Sequence, residues 1–148
     1  MIKMHASVVS VKGQAVLLRG PSGFGKSDLA LRMMDQGADL VSDDYVELEV
    51  KKGQIIARPP KAIQGLMEVR GLGLIKVQYL EEAVVTLAYN LVGSNIVDRV
   101  PVSASRLILD GVAIPLFSLD GLAASGPTKI KMALSLQMDL QEIEGLNI

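Results

Sequence analysis

The 148-residue chain contains no cysteine and no tryptophan. The first absence excludes disulfides and thiolate metal centres. Aromatics amount to three tyrosines and two phenylalanines, so a core must be built from Val, Leu, Ile, Ala and Met. An excess of charge of one sign is missing too: 15 Lys and Arg stand against 16 Asp and Glu, a formal net charge of −1. Binding to a phosphate backbone requires a basic excess, so nucleic acid is a poor default partner. No apolar run approaches the ~18 residues of a membrane span, and residues 1–11 are too short and polar for the apolar part of a signal peptide. The expectation is a cytoplasmic protein without a membrane partner.

What is present suits one globular unit. Apolar residues make up 49% of the chain, enough for a sizeable core, and residues 1–148 are expected to form a single domain. Residues 6–11 and 14–18 are aliphatic runs around Lys12-Gly13, which predicts a hairpin. Residues 45–50 and 54–57 predict a second hairpin around Lys51-Lys52-Gly53. Residues 38–41, 84–92, 106–109 and 112–117 read as further strands. A helix is expected over residues 27–36, with Leu29, Ala30, Met33 and Met34 on one face and Gly37 as its cap.

Pro127 is expected to open a last helix reaching about Ile143. That helix carries two apolar stripes on roughly opposite faces, Ile130/Leu134/Met138 and Met132/Leu136/Leu140. One stripe can pack on the parent domain. The other is either covered within the monomer or forms a subunit contact. The seven methionines read as core filler.

The strongest motif is Gly20-Pro21-Ser22-Gly23-Phe24-Gly25-Lys26-Ser27, a complete G-x-x-x-x-G-K-S between an aliphatic strand and an amphipathic helix. Small residues let the backbone wrap an anion so that its N–H groups converge on phosphate oxygens. The helix that follows adds the positive end of its dipole. Lys26 can reach the β- and γ-phosphates, and the Ser27 hydroxyl is placed for Mg²⁺.

Ser42-Asp43-Asp44 lies at the end of the next strand, where parallel sheets gather ligand-binding groups. One carboxylate there can hold Mg²⁺ through water while the other accepts a proton from an incoming hydroxyl; local sequence also allows a solvated turn. His5 is the lone histidine and by itself reads as a surface residue. The stretch from Glu68 to Ile75 sets an acid and Arg70 beside Gly71 and Gly73, which alone reads as a bulged strand with an incidental ion pair.

Together, the histidine, the strand, G-P-S-G-F-G-K-S, G-A-D-L-V-S-D-D and E-V-R-G-L-G-L-I-K-V resemble the catalytic domain of HPr kinase/phosphorylases. The resemblance runs from about residue 5 to residue 77, and residues 68–77 are its more diagnostic part. It implies an α/β P-loop kinase domain with a mixed, largely β core related to phosphoenolpyruvate carboxykinases. It implies ATP with Lys26 on the phosphates, and Mg²⁺ held by Ser27 and Glu68. By the same resemblance Asp44 accepts the seryl proton, His5 is the active-site histidine and Arg70 orients phosphate or protein substrate. The implied substrate is a serine of the phosphocarrier HPr or of a nitrogen-branch relative, and the implied assembly is a homo-oligomer, a hexamer in the family.

Two departures from the longer members stand out. They carry a separate N-terminal domain, so the likeness is to a short, catalytic-domain-only form. They also carry a C-terminal Pro-Gly-Arg-Asn stretch tied to phosphorolysis, whereas Pro115-Leu116-Phe117 is followed here by Ser118-Leu119-Asp120-Gly121 without arginine. Weak phosphorolysis is therefore expected. A small-metabolite kinase and a non-catalytic nucleotide sensor are the alternatives. The former usually closes an arginine-rich lid, and beyond Arg70 only Arg99 and Arg106 are available.

Overall fold

The computed structural model describes residues 1–97 and 105–136. It contains the expected first hairpin, β2 (Ser7–Val11) with β3 (Gln14–Arg19). The turn has Lys12 at φ 50° and Gly13 at φ 82°, two consecutive positive values of the kind that match the twist of the flanking strands. The device recurs at Lys52-Gly53, between β5 (Tyr45–Lys51) and β6 (Gln54–Arg58), and at Asp110-Gly111, between β10 (Arg106–Leu109) and β11 (Val112–Leu119).

Strand β3 is apolar on both faces because both are covered. Val16 and Leu18 join a cluster with Leu29, Ala30 and Met33 of α1 (Lys26–Asp35). Ala15 and Leu17 join a second cluster with Val46, Leu48, Ile55 and Ala57 of the β5–β6 hairpin. Burying side chains such as Leu29 and Met33 contributes roughly 1.5–3 kcal/mol each. The end of α1 follows expectation, with Gly37 at φ 102° and its N–H bonded to Met34 O.

The longest strand, β9 (Ala83–Leu91), is the hub. One edge runs parallel to β3, while the other edge is shared. Its first half pairs antiparallel with β6, and its second half, Ala88 to Leu91, pairs parallel with β11. Strand β4 (Asp39–Ser42) closes the far side of β2. The carboxyl ends of β3, β9 and β11 therefore emerge together. Arg58 ties β5, β6 and the entrance to β9 by bonding Glu49 at 2.6 Å and Glu82 at 2.9 Å; its guanidinium holds the Glu49 carboxyl below the usual carboxylate range.

One element lies outside the expectations and another differs from them. Residues 2–5 form a strand, β1 (Ile2–His5), paired antiparallel with β5 rather than with its chain neighbour β2. The segment around Glu68 is a separate two-stranded hairpin, β7 (Leu66–Val69) with β8 (Gly73–Lys76), because Gly71 at φ 91° and Gly73 at φ 98° reverse the chain.

The last helix, α2 (Gly126–Ser135), starts at the expected proline; residues 137–143 of the expected helix lie outside the described residues. Ile130 and Leu134 are buried against α1, whereas Met132 is 57% and Leu136 40% exposed. Cover of this second stripe within the monomer is thus not seen for these two residues, and Met138 and Leu140 lie outside the description. No helix among the described residues is long and apolar enough to cross a membrane.

Candidate functional site

The phosphate loop begins where β3 ends. Gly20 passes so close to β9 that a Cβ there would stand 2.8 Å from Leu91 O. Gly25 caps α1 at φ 91°, a left-handed conformation that releases the chain straight into the helix. The first-turn N–H groups of Lys26 and Ser27 consequently have no intrahelical acceptor, and they stand at the positive end of the helix dipole. Lys26 is only 8% exposed, and its Nζ donates to Gly20 O at 2.6 Å and Pro21 O at 3.2 Å. The ammonium thus spans the loop that phosphate oxygens would fill.

The two aspartates are separated by one turn of backbone. Tyr45 N donates to Asp43 O at 2.9 Å, closing a three-residue turn with Asp44 at its centre and φ 73°. A non-glycine residue there costs on the order of 1–3 kcal/mol, though aspartate is among the more tolerant types. The turn sends Asp43 inward, 4% exposed, and Asp44 outward, with its side chain 63% exposed.

Inside, Asp43 Oδ1 accepts from Ser27 Oγ at 2.7 Å and from Ser7 Oγ at 2.8 Å, and Ser7 Oγ in turn accepts from Asp44 N at 3.3 Å. Outside, the β1–β5 register sets His5 opposite Tyr45, and His5 Nε2 lies 2.9 Å from Asp44 Oδ1. The His5 and Tyr45 rings are 5.0 Å apart, and Lys3 Nζ is 5.1 Å from the Tyr45 ring centroid. One line of contacts thus joins the phosphate loop to the surface dyad: Ser27, Asp43, Ser7, Asp44, His5.

This line brings together Ser27, Asp44 and His5, which the sequence reading had marked from separate segments. It adds Ser7 and gives Asp43 the inward role; Ser7 is one of two serines, with Ser10, in the run of residues 6–11, so the run alone did not single it out. Glu68 is not drawn in: it is exposed on β7, and its side chain makes no hydrogen bond or ion pair among the described residues. Arg70 is likewise exposed. Among the described residues no three His, Asp or Glu side chains converge as a metal cage. The donor set nonetheless fits Mg²⁺, which is usually held by one or two carboxylates, waters and substrate phosphates. Asp43 is a nearly buried anion with no cationic partner among the described residues, directly on the loop's serine.

A glycine-rich loop between a buried parallel strand and a helix, on a mixed and largely β sheet, defines an α/β domain of the P-loop kinase type. The architecture matches the "Structure of the Hpr(Ser) kinase/phosphatase from Coxiella burnetii" with a TM-score of 0.82 over 96% of this chain and 99% of that one, at 24% identity. Residues 1–90 match the model of the HPr Serine kinase C-terminal domain. The chain belongs to that family.

Proposed function

We propose that this chain is an ATP- and Mg²⁺-dependent kinase that phosphorylates a serine of a small phosphocarrier protein, HPr or a nitrogen-branch relative, with residues 1–148 acting as one catalytic domain. The observation that carries the reading is the line from Ser27 through Asp43 and Ser7 to Asp44 and His5. It sets a nearly buried carboxylate and an exposed carboxylate on successive residues, one turned to the phosphate loop and one to solvent.

Lys26 leaves the Gly20 and Pro21 carbonyls and binds the β- and γ-phosphates, while the loop N–H groups hold their remaining oxygens. Ser27 and Asp43 would hold Mg²⁺, with Glu68 available if β7 approaches; bound there, the ion neutralises developing phosphate charge. Asp44 accepts the proton of the incoming seryl hydroxyl, worth roughly 10²–10⁴-fold for a positioned base. His5 orients the Asp44 carboxylate. The exposure of this dyad suits a hydroxyl presented by another protein, and the family membership supports a phosphocarrier in that role.

Phosphorolysis should be weak. Attack of phosphate on phosphoserine joins two polyanions and calls for cations beyond Mg²⁺ and Lys26, and no arginine follows Arg106. The deciding experiment supplies labelled ATP, Mg²⁺ and candidate phosphocarriers. Label on a carrier serine supports the reading. Label on a metabolite, or nowhere, would replace it with a small-molecule kinase or a nucleotide sensor.

A further inference from the structure

The phosphate loop leans on another segment, residues 120–125, which joins β11 to α2. A Cβ on Gly121 would stand 2.5 Å from Phe24 O; a Cβ on Gly25 would stand 3.0 Å from the Leu122 side chain and 3.1 Å from Gly121 O. The two loops therefore meet backbone to backbone, with a glycine on each side because no side chain fits between them. Within the segment, Leu122 N donates to Asp120 Oδ1 at 3.0 Å.

Arg32 holds this contact from behind. It lies on α1, the helix that the phosphate loop opens, and its side chain is 27% exposed. One terminal nitrogen, Nη1, donates to Ala123 O at 2.8 Å and the other, Nη2, to Gly121 O. Nε donates to Asp28 Oδ2 at 2.9 Å, one turn back on the helix. A planar guanidinium presents these donors in a fixed fork, which a lysine cannot reproduce. Loop, helix and 120–125 segment are thus closed into one ring through a single side chain.

We propose that Arg32 is a positioning residue for nucleotide binding: it holds residues 121–123 against Phe24 and Gly25 and so fixes the loop N–H groups that receive the phosphates. Its guanidinium is committed to Asp28 and two carbonyls, so it contributes geometry to the site rather than charge. The inference rests on the nucleotide-binding reading of residues 20–27.

The test is calorimetric titration of the full chain with Mg·ATP, with steady-state kinetics alongside, on wild type, R32A, R32K, G121A and L134A. Arg32→Ala should raise the ATP Kd and KM roughly tenfold while kcat falls much less, the pattern of lost uniform binding. Arg32→Lys should remain near Arg32→Ala, since charge without the fork cannot serve both carbonyls. Gly121→Ala should weaken ATP binding with Arg32 intact, because its Cβ pushes the same segment off Phe24; it carries the test if Arg32→Ala does not fold. Leu134→Ala, in the α2 core, should lower the melting temperature yet leave the ATP Kd unchanged. Normal affinity in both Arg32→Ala and Gly121→Ala, full recovery by lysine, or an equal loss in Leu134→Ala would overturn the proposal. Failure of wild type to bind ATP would instead overturn the reading of the phosphate loop.

Discussion

Asp43→Asn tests the inward carboxylate. Two hydroxyls donate to this side chain at 2.7 and 2.8 Å. A hydrogen bond to a charged group is worth about 1.5–3 kcal/mol against about 0.5–1.5 for a neutral one, so the pair loses roughly 1–3 kcal/mol. Against that, an ionised carboxylate at 4% exposure carries a desolvation penalty that the neutral amide escapes. The two terms oppose one another, and the apo melting temperature should move by only a few degrees in either direction. The bound state differs. Ligand at about 100 times its Kd stabilises by about 2.7 kcal/mol, and a hundredfold loss of affinity reduces that to about 0.4 kcal/mol. At roughly 2–4 °C per kcal/mol, Mg·ATP should raise the wild-type melting temperature by about 5–11 °C and the variant's by about 1–2 °C. With EDTA present, ATP alone should shift both proteins equally. A full Mg²⁺-dependent shift in Asp43→Asn would refute the assignment of Asp43 to the ion.

Lys26→Met should abolish most phosphoryl transfer in the carrier assay, with apo stability changed by no more than about 1–2 kcal/mol, since the lost bonds are to the loop's own carbonyls. Tyr89 is 4% exposed, and burial pushes its phenol above the ordinary value of 10.0. Above that pH the unfolded chain gives up a proton that the folded chain retains, so stability present below pH 10 is lost as pH rises further; Tyr89→Phe should unfold at higher pH in alkaline titrations. The exposed Met132 and Leu136 suit a subunit contact, so sedimentation at tens of micromolar should show an oligomer that Met132→Glu with Leu136→Glu converts towards monomer. A clean wild-type monomer would remove that role.

Local pattern was enough for the phosphate loop, α1 and the hairpins at Lys12-Gly13 and Lys52-Gly53, because each is specified within a few residues: apolar period, cap and turn chemistry. Long-range pairing was not. Nothing in Ile-Lys-Met-His indicates that β1 skips β2 to join β5, yet that register is what brings His5 to Asp44. The division of labour between Asp43 and Asp44 was also hidden. It depends on one residue adopting φ 73°, which adjacent identical side chains do not announce. Glu68 and Arg70 were legible as a motif but not as a hairpin, since the same two glycines permit either a bulge or a reversal.

The sharing of β9 among three neighbours has a consequence for the order in which the molecule can be made. Strand β3 is complete at residue 19, but its parallel partner ends only at Leu91, and the segment that backs the loop arrives with Gly121. On a ribosome adding about 5–20 residues per second, the phosphate loop waits several seconds for the walls that shape it. During that interval Val16, Leu17 and Leu18 sit in a hairpin with one edge open, the kind of edge that invites pairing with another chain. Nascent chains ending before residue 91 should therefore be sticky and blind to nucleotide, and competence to bind would mark the moment at which synthesis has passed residues 120–125.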